Sequence, residues 1–481
     1  MEREDIAESF ENELLLCLKA KFSLLFILTQ EEKRAFSIVE RISHKMNRRI
    51  LFPRIRGQTT RLHQLIQKLD ENDDIIVLDN IHRMLDNADT IRSLVDAVST
   101  VEKRTIIVIA PNANIPPELE RLCTMLTMPL PTVSQIEKIL KQCMEETHVL
   151  LSDADVTLFV RLAKGMTLEE ATRAFRKAFL GWPESVADAL GSVLKDKQTA
   201  LRKSGVLSQV EVPTHIDDVG GLDRLKEWLG TRRLAFSDDA KEFGLPSPRG
   251  LLIMGIQGCG KSLTSKSIAG YWQLPLVRLD LSLLFGDDHP ELALSNAFHI
   301  VEAMAPVVLW IDELEKGFDG TRGPTSRVLG GLVTWLQEKQ EEVFVVATAN
   351  QVKYLPPELP RKGRFDEIFF VDLPDLEERE EILRIHLKLR NREPVDFDLR
   401  QVASKSERFT GSELEQVVVS GLFQAFVRGE ELTDEDMLFS IQETVPLYDT
   451  FEEEIKHLRE WARRRARPAS TDRKRAAMFR P

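Results

Sequence analysis

The chain has 481 residues, 43% hydrophobic and 30% charged, with a formal net charge of −12. That length exceeds one average hydrophobic core, so two or three domains are expected, and the composition is that of an ordinary soluble globular protein. An acidic body argues against a whole-surface nucleic-acid binder. No run of about eighteen apolar residues offers a membrane span. The opening MEREDIAESF is acidic where an export or transit signal needs positive charge, so the expected location is cytoplasmic. Cys17, Cys123, Cys143 and Cys259 lack metal-like spacing and point to a reduced compartment without structural zinc.

In chain order, SLLFILT (23–29), DIIVLD (74–79) and TIIVIA (105–110) are nearly continuous in apolar residues. They read as buried strands of a parallel sheet, with crossover helices over 31–47 and 87–103. Residues 1–130 are therefore expected to form one α/β domain. Residues 131–195 read as a small helical domain, with IEKILKQCMEE and ADVTLFVRLAKG as its clearest segments. The polar KDKQTALRKSG opens a linker over 196–214.

The strand–helix rhythm then restarts. GLLIMG (250–255), LPLVRLD (274–280), PVVLWID (306–312), EVFVVATAN (342–350) and EIFFVDLP (367–374) are strand candidates, with helices over 261–272, 288–304 and 324–339. This is the pattern of a doubly wound α/β core, placed at 215–374. A helical lid is expected over 375–445, in which Thr410 caps a helix that ends at Gly429. Residues 446–481 read as a C-terminal helix and a basic tail. From Lys456 to Pro481 there are ten Lys/Arg against two Asp/Glu, and only this tail offers nucleic acid or an acidic partner a cationic surface. Two stretches also repeat: VIAPNANIPPELER (108–121) is similar to VATANQVKYLPPELPR (346–361), and DIIVLDNIHRM (74–84) to VVLWIDELEKG (308–317). A shared origin of the two sheets is expected.

Gly255-Ile256-Gln257-Gly258-Cys259-Gly260-Lys261-Ser262 fits a P-loop in the required context, after a strand and at the start of a helix that continues through Leu263. The glycines allow a turn whose amides surround phosphate oxygens, aided by the helix dipole. Lys261 is expected on the β- and γ-phosphates of ATP, and the Ser262 hydroxyl on Mg²⁺. Asp312 ends a strongly apolar strand and Glu313 follows it, an arrangement suited to holding the ion and activating the attacking water. Asn350 closes the next strand and can orient that water. Arg361 and Arg364 lie in PELPRKGRFDE, either as surface charge or as fingers for a neighbouring subunit's nucleotide. Cys259 is read as a small neutral filler of the loop, with redox sensing as the lesser alternative.

These motifs, in the order VGGLDRLKEWL, GIQGCGKS, VVLWIDELEKGF, VVATAN and ELPRKGRFDE, resemble the AAA+ ATPases. The tryptophan of LWIDELEKGF and the ending REWARRRARPAS are most similar to the family called hypothetical chloroplast reading frame forty-six, of cyanobacteria and red-algal plastids. The resemblance covers the whole chain. It implies a P-loop NTPase AAA+ module with a C-terminal helical lid, preceded by a degenerate P-loop-NTPase-like α/β domain and a helical appendage. By motif, Asp218, Val219 and Gly220 resemble the adenine-pocket segment, and Gly411 with Ser412 the small-residue turn of the lid. Lys261, Ser262, Asp312, Glu313 and Asn350 resemble the P-loop lysine, its hydroxyl partner, the paired acids and the first sensor, and Arg361 with Arg364 the arginines of a ring interface. The implied activity is ATP hydrolysis by a hexameric ring that remodels protein substrates. The alternatives are a slow, nucleotide-gated scaffold or regulator and a nucleic-acid remodeler. Leu284-Phe285-Gly286 offers the trio that such rings use to grip polypeptide, with buried packing of Phe285 as the alternative. FILTQEEKRAF, at the P-loop position of the first sheet, has no glycine or Lys-Ser pair, so no nucleotide is expected there, and Asp79 and Asn80 are fold relics or partner contacts.

Overall fold

The computed structural model describes residues 3–471, except 54–74, 80, 101–104, 112–114, 182–184, 213–215, 318–323, 356–357, 360 and 362. Asn80, Pro356, Pro357 and the last ten residues of the basic tail lie outside the described residues. The chain divides into two compact units, Met1–Ala200 and Leu201–Pro481.

The first unit holds strands β1 (Leu24–Leu28), β2 (Ile50–Leu51), β3 (Ile75–Asp79), β4 (Thr105–Ala110) and β5 (Cys123–Thr127). They form a parallel sheet in the order β2-β3-β4-β1-β5. The near-continuous apolar runs follow from burial on both faces. Leu25, Ile27, Val77 and Ile107 pack with Leu14, Leu18 and Val39 of the helices on one side. The alternate residues Leu24, Phe26, Leu78 and Val108 pack with Leu94 on the other. The helices Val133–Thr147, Asp153–Ala163, Leu168–Leu180 and Val186–Lys203 follow around Phe159, Phe175 and Phe179. The first three start at side-chain caps on Thr132, Ser152 and Thr167, and Ser185 accepts the Asp188 amide at the head of the fourth.

The second unit adds β6 (Leu207–Val210), β7 (Gly250–Gly255), β8 (Leu276–Leu279), β9 (Val307–Ile311), β10 (Val343–Ala349), β11 (Glu367–Val371) and β12 (Arg467–Pro468). The sheet order is β12-β11-β7-β10-β9-β8-β6. Its inner five strands repeat the order of the first sheet, since β11-β7-β10-β9-β8 corresponds strand for strand to β5-β1-β4-β3-β2. The lid helices Leu376–Lys388, Leu399–Lys405, Gly411–Arg428 and Asp434–Glu443 are capped by Asp375, Asp398, Thr410 and Thr433. Thr410 forms the expected capping box with Glu413, and Gly429 ends its helix at φ 73°. A sheet of the same order followed by four side-chain-capped helices thus occurs twice. The helical appendage of the first unit repeats the plan of the lid.

One sequence reading changes. The stretch 195–203, read as the opening of a linker, continues the helix Val186–Lys203, and 207–210 forms β6, antiparallel to β8. Polar residues hid the helix because only a narrow stripe of it is buried. The C-terminal helix expected within 446–481 is present, and the basic tail begins packed. The helix Glu452–Arg465 buries Ile455, Leu458 and Ala462 against Ile256 and Phe370, and β12 pairs with β11. Among the described residues no helix is long and apolar enough to cross a membrane.

Candidate active site

The P-loop bends where only glycine fits. Gly255 has φ 154°, and a Cβ there would stand 2.0 Å from the Val371 carbonyl oxygen. Gly258, at φ 80°, would put a Cβ 2.3 Å from Ser412 Oγ. The loop and the lid therefore touch directly, and the Ser412 amide donates to the Gly258 carbonyl at 2.9 Å. A Cβ on Gly411 would come 3.2 Å from the same oxygen. Gln257 is exposed at the turn, and Leu263 is partly exposed on the following helix.

Lys261 opens the helix Lys261–Trp272 and is 6% exposed. Its ammonium donates to the Gly255 and Ile256 carbonyls at 2.9 and 2.7 Å, and burial lowers its pKa to about 8. The Cys259 thiol is pushed up to about 12, mainly by burial. It carries no thiolate at neutral pH, which leaves the neutral-filler reading.

Three neighbouring strands bring the acids to the loop. Ser262 Oγ donates to Asp312 Oδ1 at 3.1 Å, just past the end of β9. Thr348 in β10 donates to the same oxygen at 2.5 Å and accepts the Glu313 amide at 2.9 Å. Glu313 sits at φ 49°, a left-handed conformation unusual for a glutamate, and this bond pins it there. Asn350 Nδ2 donates to Glu313 Oε1 at 3.3 Å, and Lys316 pairs with the other oxygen. Glu315 is 5% exposed, its Oε1 accepts the Asn350 amide at 2.9 Å, and burial raises its pKa. The sequence reading missed Thr348 and Glu315. Thr348 had only its place two residues before Asn350 as a signal, and Glu315 only its spacing from Glu313.

The segment Asp218–Gly220 begins on the last residue of a short 3-10 turn (Ile216–Asp218) and lies on the first lid helix. A Cβ on Gly220 would meet Ile382 Cγ1 at 2.7 Å, and the Gly221 amide donates to Glu381 Oε2 at 2.8 Å. Val219 is 3% exposed, and its carbonyl accepts from Lys226 at 2.5 Å.

The arginines are elsewhere. Arg361 is exposed, and Arg364 is partly buried, with Nη1 enclosed and unpartnered among the described residues. They precede β11, where Asp366 Oδ2 accepts the Arg249 and Gly250 amides at 2.8 and 3.1 Å. That end of the sheet is opposite the P-loop, with the length of β7, about 17 Å at the usual strand rise, between them. Phe285 departs from the grip reading. Leu284 is fully buried and Phe285 ends the short helix Leu281–Phe285, its ring packed where a Gly317 Cβ would be 2.9 Å away. Only Gly286 of the trio is exposed.

At the P-loop position of the first sheet stands Glu31, 8% exposed. It pairs with Arg34 and accepts the Leu168 amide at 2.6 Å, while Arg34 donates to the Pro129 carbonyl at 2.8 Å. A carboxylate, paired with Arg34, thus stands where the second unit has its glycine-rich loop.

Residues 251–373 match the ATPase family associated with various cellular activities (AAA). Residues 10–128 match the N-terminal domain of SpoVK-like AAA ATPases and 134–204 their second domain. The AAA domain-containing protein ycf46 of Guillardia theta is 36% identical over 94% of this chain and 95% of its own length. That of Trieres chinensis is 35% identical over 94% and 96%. The proteasome-activating nucleotidase of Thermococcus onnurineus is 32% identical over 49% of this chain and 63% of its own length. The cytoplasmic expectation is corrected by these matches, because the ycf46 homologues are chloroplast proteins of algae. Composition could not decide this, since organelle interiors and cytosol select similar soluble surfaces. The match over nearly the whole chain and the AAA domain over the P-loop core make this chain a member of the ycf46 family of AAA ATPases, an enzyme that hydrolyses ATP.

Proposed function

We propose that the chain assembles with copies of itself into a ring, hexameric by the resemblance, and uses ATP hydrolysis to remodel a protein substrate or complex. The observation that carries the site assignment is the continuous network Ser262–Asp312–Thr348–Glu313–Asn350 beside the P-loop. In this reading the loop amides of Gly255–Gly260 surround the phosphates. Lys261 leaves its two loop carbonyls to meet the β- and γ-oxygens, Asp218–Gly220 lie along the adenine, and Gly411 and Ser412 close the pocket from the lid. Glu313 takes the proton of the attacking water, and Asn350 orients both partners.

Ser262 and Asp312 together present a hydroxyl and a carboxylate, the hard oxygen donors that Mg²⁺ prefers. Among the described residues no three His, Cys, Asp or Glu side chains cluster to hold an ion, so the remaining ligands would be phosphate and water. Bound there, the ion supplies charge neutralisation of the transferring phosphoryl group.

Arg361 and Arg364 stand at the far end of the sheet from their own P-loop, which supports service to a neighbour's nucleotide. The packing of Phe285 favours an output other than threading, such as disassembly or nucleotide-gated regulation of a partner. The test is Glu313→Gln in the full chain, with ATP affinity read by calorimetry and turnover by phosphate release. Retained affinity with turnover reduced at least a hundredfold is expected, the size of a lost general base. Near-normal turnover would overturn the assignment. Proteins held by the ATP-loaded variant then identify the substrate.

A further inference from the structure

The described end of the basic tail makes a series of bonds that the ATPase reading does not use. After β12, the Ala469 amide donates to the Phe370 carbonyl at 2.9 Å, and the Ala469 carbonyl accepts the Leu225 amide at 3.1 Å. Ala469 is 1% exposed. Ser470 Oγ then donates to Glu378 Oε1 at 2.5 Å, and the Thr471 amide donates to Asp223 Oδ1 at 2.7 Å. Residues 467–471 therefore form a strap. It runs from the sheet edge, across the helix Asp223–Arg232, to the first helix of the lid.

Glu378 is where the strap, the lid and the segment after Gly220 meet. It is 7% exposed. Its Oε1 also accepts the Leu222 amide at 3.3 Å, and its Oε2 accepts the Asp375 amide at 2.9 Å. Gly221 is forced to be glycine by this carboxylate, since φ is 70° and a Cβ would lie 2.3 Å from Oε1. Residues 378, 381 and 382 share one helical face, and 220–222 lie along it. Without the Ser470 hydroxyl, Oε1 retains only the long Leu222 bond, and a buried carboxylate that loses a short donor reorients toward water.

We propose that Glu378, held by Ser470 of the C-terminal strap, is a positioning residue for nucleotide binding: it fixes the backbone at 220–222, and with it the wall against which the base lies. The inference rests on the reading of Asp218–Gly220 as the adenine-facing segment. It assigns the strap a role in setting how tightly nucleotide is held, with the chemistry left to Glu313.

The test uses the full chain with Ser470→Ala, Ser470→Thr, Glu378→Gln and Asp218→Ala, reading kcat, KM for ATP and the release rate of a fluorescent ADP analogue. Ser470→Ala should raise KM and ADP release by about tenfold, the worth of one hydrogen bond to a charged group, with kcat within about twofold. Ser470→Thr, which restores a hydroxyl, should return both toward the parent, and Glu378→Gln should share the KM phenotype. A Ser470→Ala protein with a lowered Tm but unchanged KM and ADP release would overturn the proposal. The Asp218 arm separates the two readings. If Asp218→Ala weakens ATP binding and Ser470→Ala does not, the strap proposal falls and the adenine assignment stands. If Asp218→Ala leaves ATP binding unchanged, the adenine assignment falls, and the positioning role that rests on it falls with it.

Discussion

Thr348→Val tests the network at its least expected member. The substitution keeps the shape of a side chain that is 1% exposed and removes one hydroxyl. That hydroxyl donates to Asp312 Oδ1 at 2.5 Å and accepts the Glu313 amide at 2.9 Å. The first loss removes a hydrogen bond to a charged group, about 1.5–3 kcal/mol, and the second leaves an enclosed amide unsatisfied, about 1–3 kcal/mol. Glu313 also holds φ 49°, a conformation that costs about 1–2 kcal/mol and persists only while something pins it. Relaxation of that backbone swings the carboxylate away from Asn350 Nδ2. If about 3 kcal/mol of the loss falls on the transition state, kcat drops by about 10²-fold. ATP affinity should change little, because Lys261 and the loop amides are untouched. Phosphate release under saturating ATP gives kcat, calorimetry gives affinity, and thermal unfolding controls for folding. Thr348→Ser keeps the hydroxyl and should retain most of the activity. A Thr348→Val enzyme with parental kcat, or a Thr348→Ser enzyme equally damaged, would refute the reasoning.

Three further outcomes follow from the same geometry. Burial lowers the Lys261 pKa to about 8, so the free protein loses this cation as pH rises through that value while phosphate binding requires it. ATP affinity measured from pH 7 to 9 should weaken progressively above 8, with proton uptake on binding detectable by calorimetry in buffers of different ionisation heat; a flat profile would contradict it. In the first unit, Glu31→Ala leaves the Arg34 guanidinium enclosed and unpaired, so stability should fall by about 3 kcal/mol, whereas Glu31→Met with Arg34→Met should be close to neutral. Chemical denaturation reads both, and ATP bound per chain should remain at one in each. With the Cys259 thiol pushed up to about 12 by burial, iodoacetamide at pH 8 should label this residue slowly by mass spectrometry and leave ATPase activity intact.

Much was legible in the sequence because some steps of the chemistry tolerate few residue types. A P-loop needs glycines at left-handed or crowded backbone positions and a Lys-Ser pair at a helix start, so Gly255 to Ser262 could be read directly. Strands buried on both faces must be apolar along their whole length, and that fixed β1, β3, β4 and the five inner strands of the second sheet to within a few residues. The internal repeats in sequence also pointed to two related sheets, and the shared strand order agrees with them.

Tertiary structure decided what depends on a partner distant in the chain. The short edge strands β6 and β12 carry no periodic signal; they exist because β8 and β11 offer unpaired edges. Thr348 becomes a pivot only because β9 and β10 are adjacent, and Glu378 only because the strap returns from residue 470. Glu31 becomes a filler of the phosphate position only when Leu168 folds back upon it. Phe285, which the sequence offered as a grip, is packed because Gly317 leaves room for its ring. The physical reason is the same in each case. A sequence pattern reports which residues a local backbone requires, whereas a hydrogen-bond partner or a filled space is set by elements brought together from far apart in the chain.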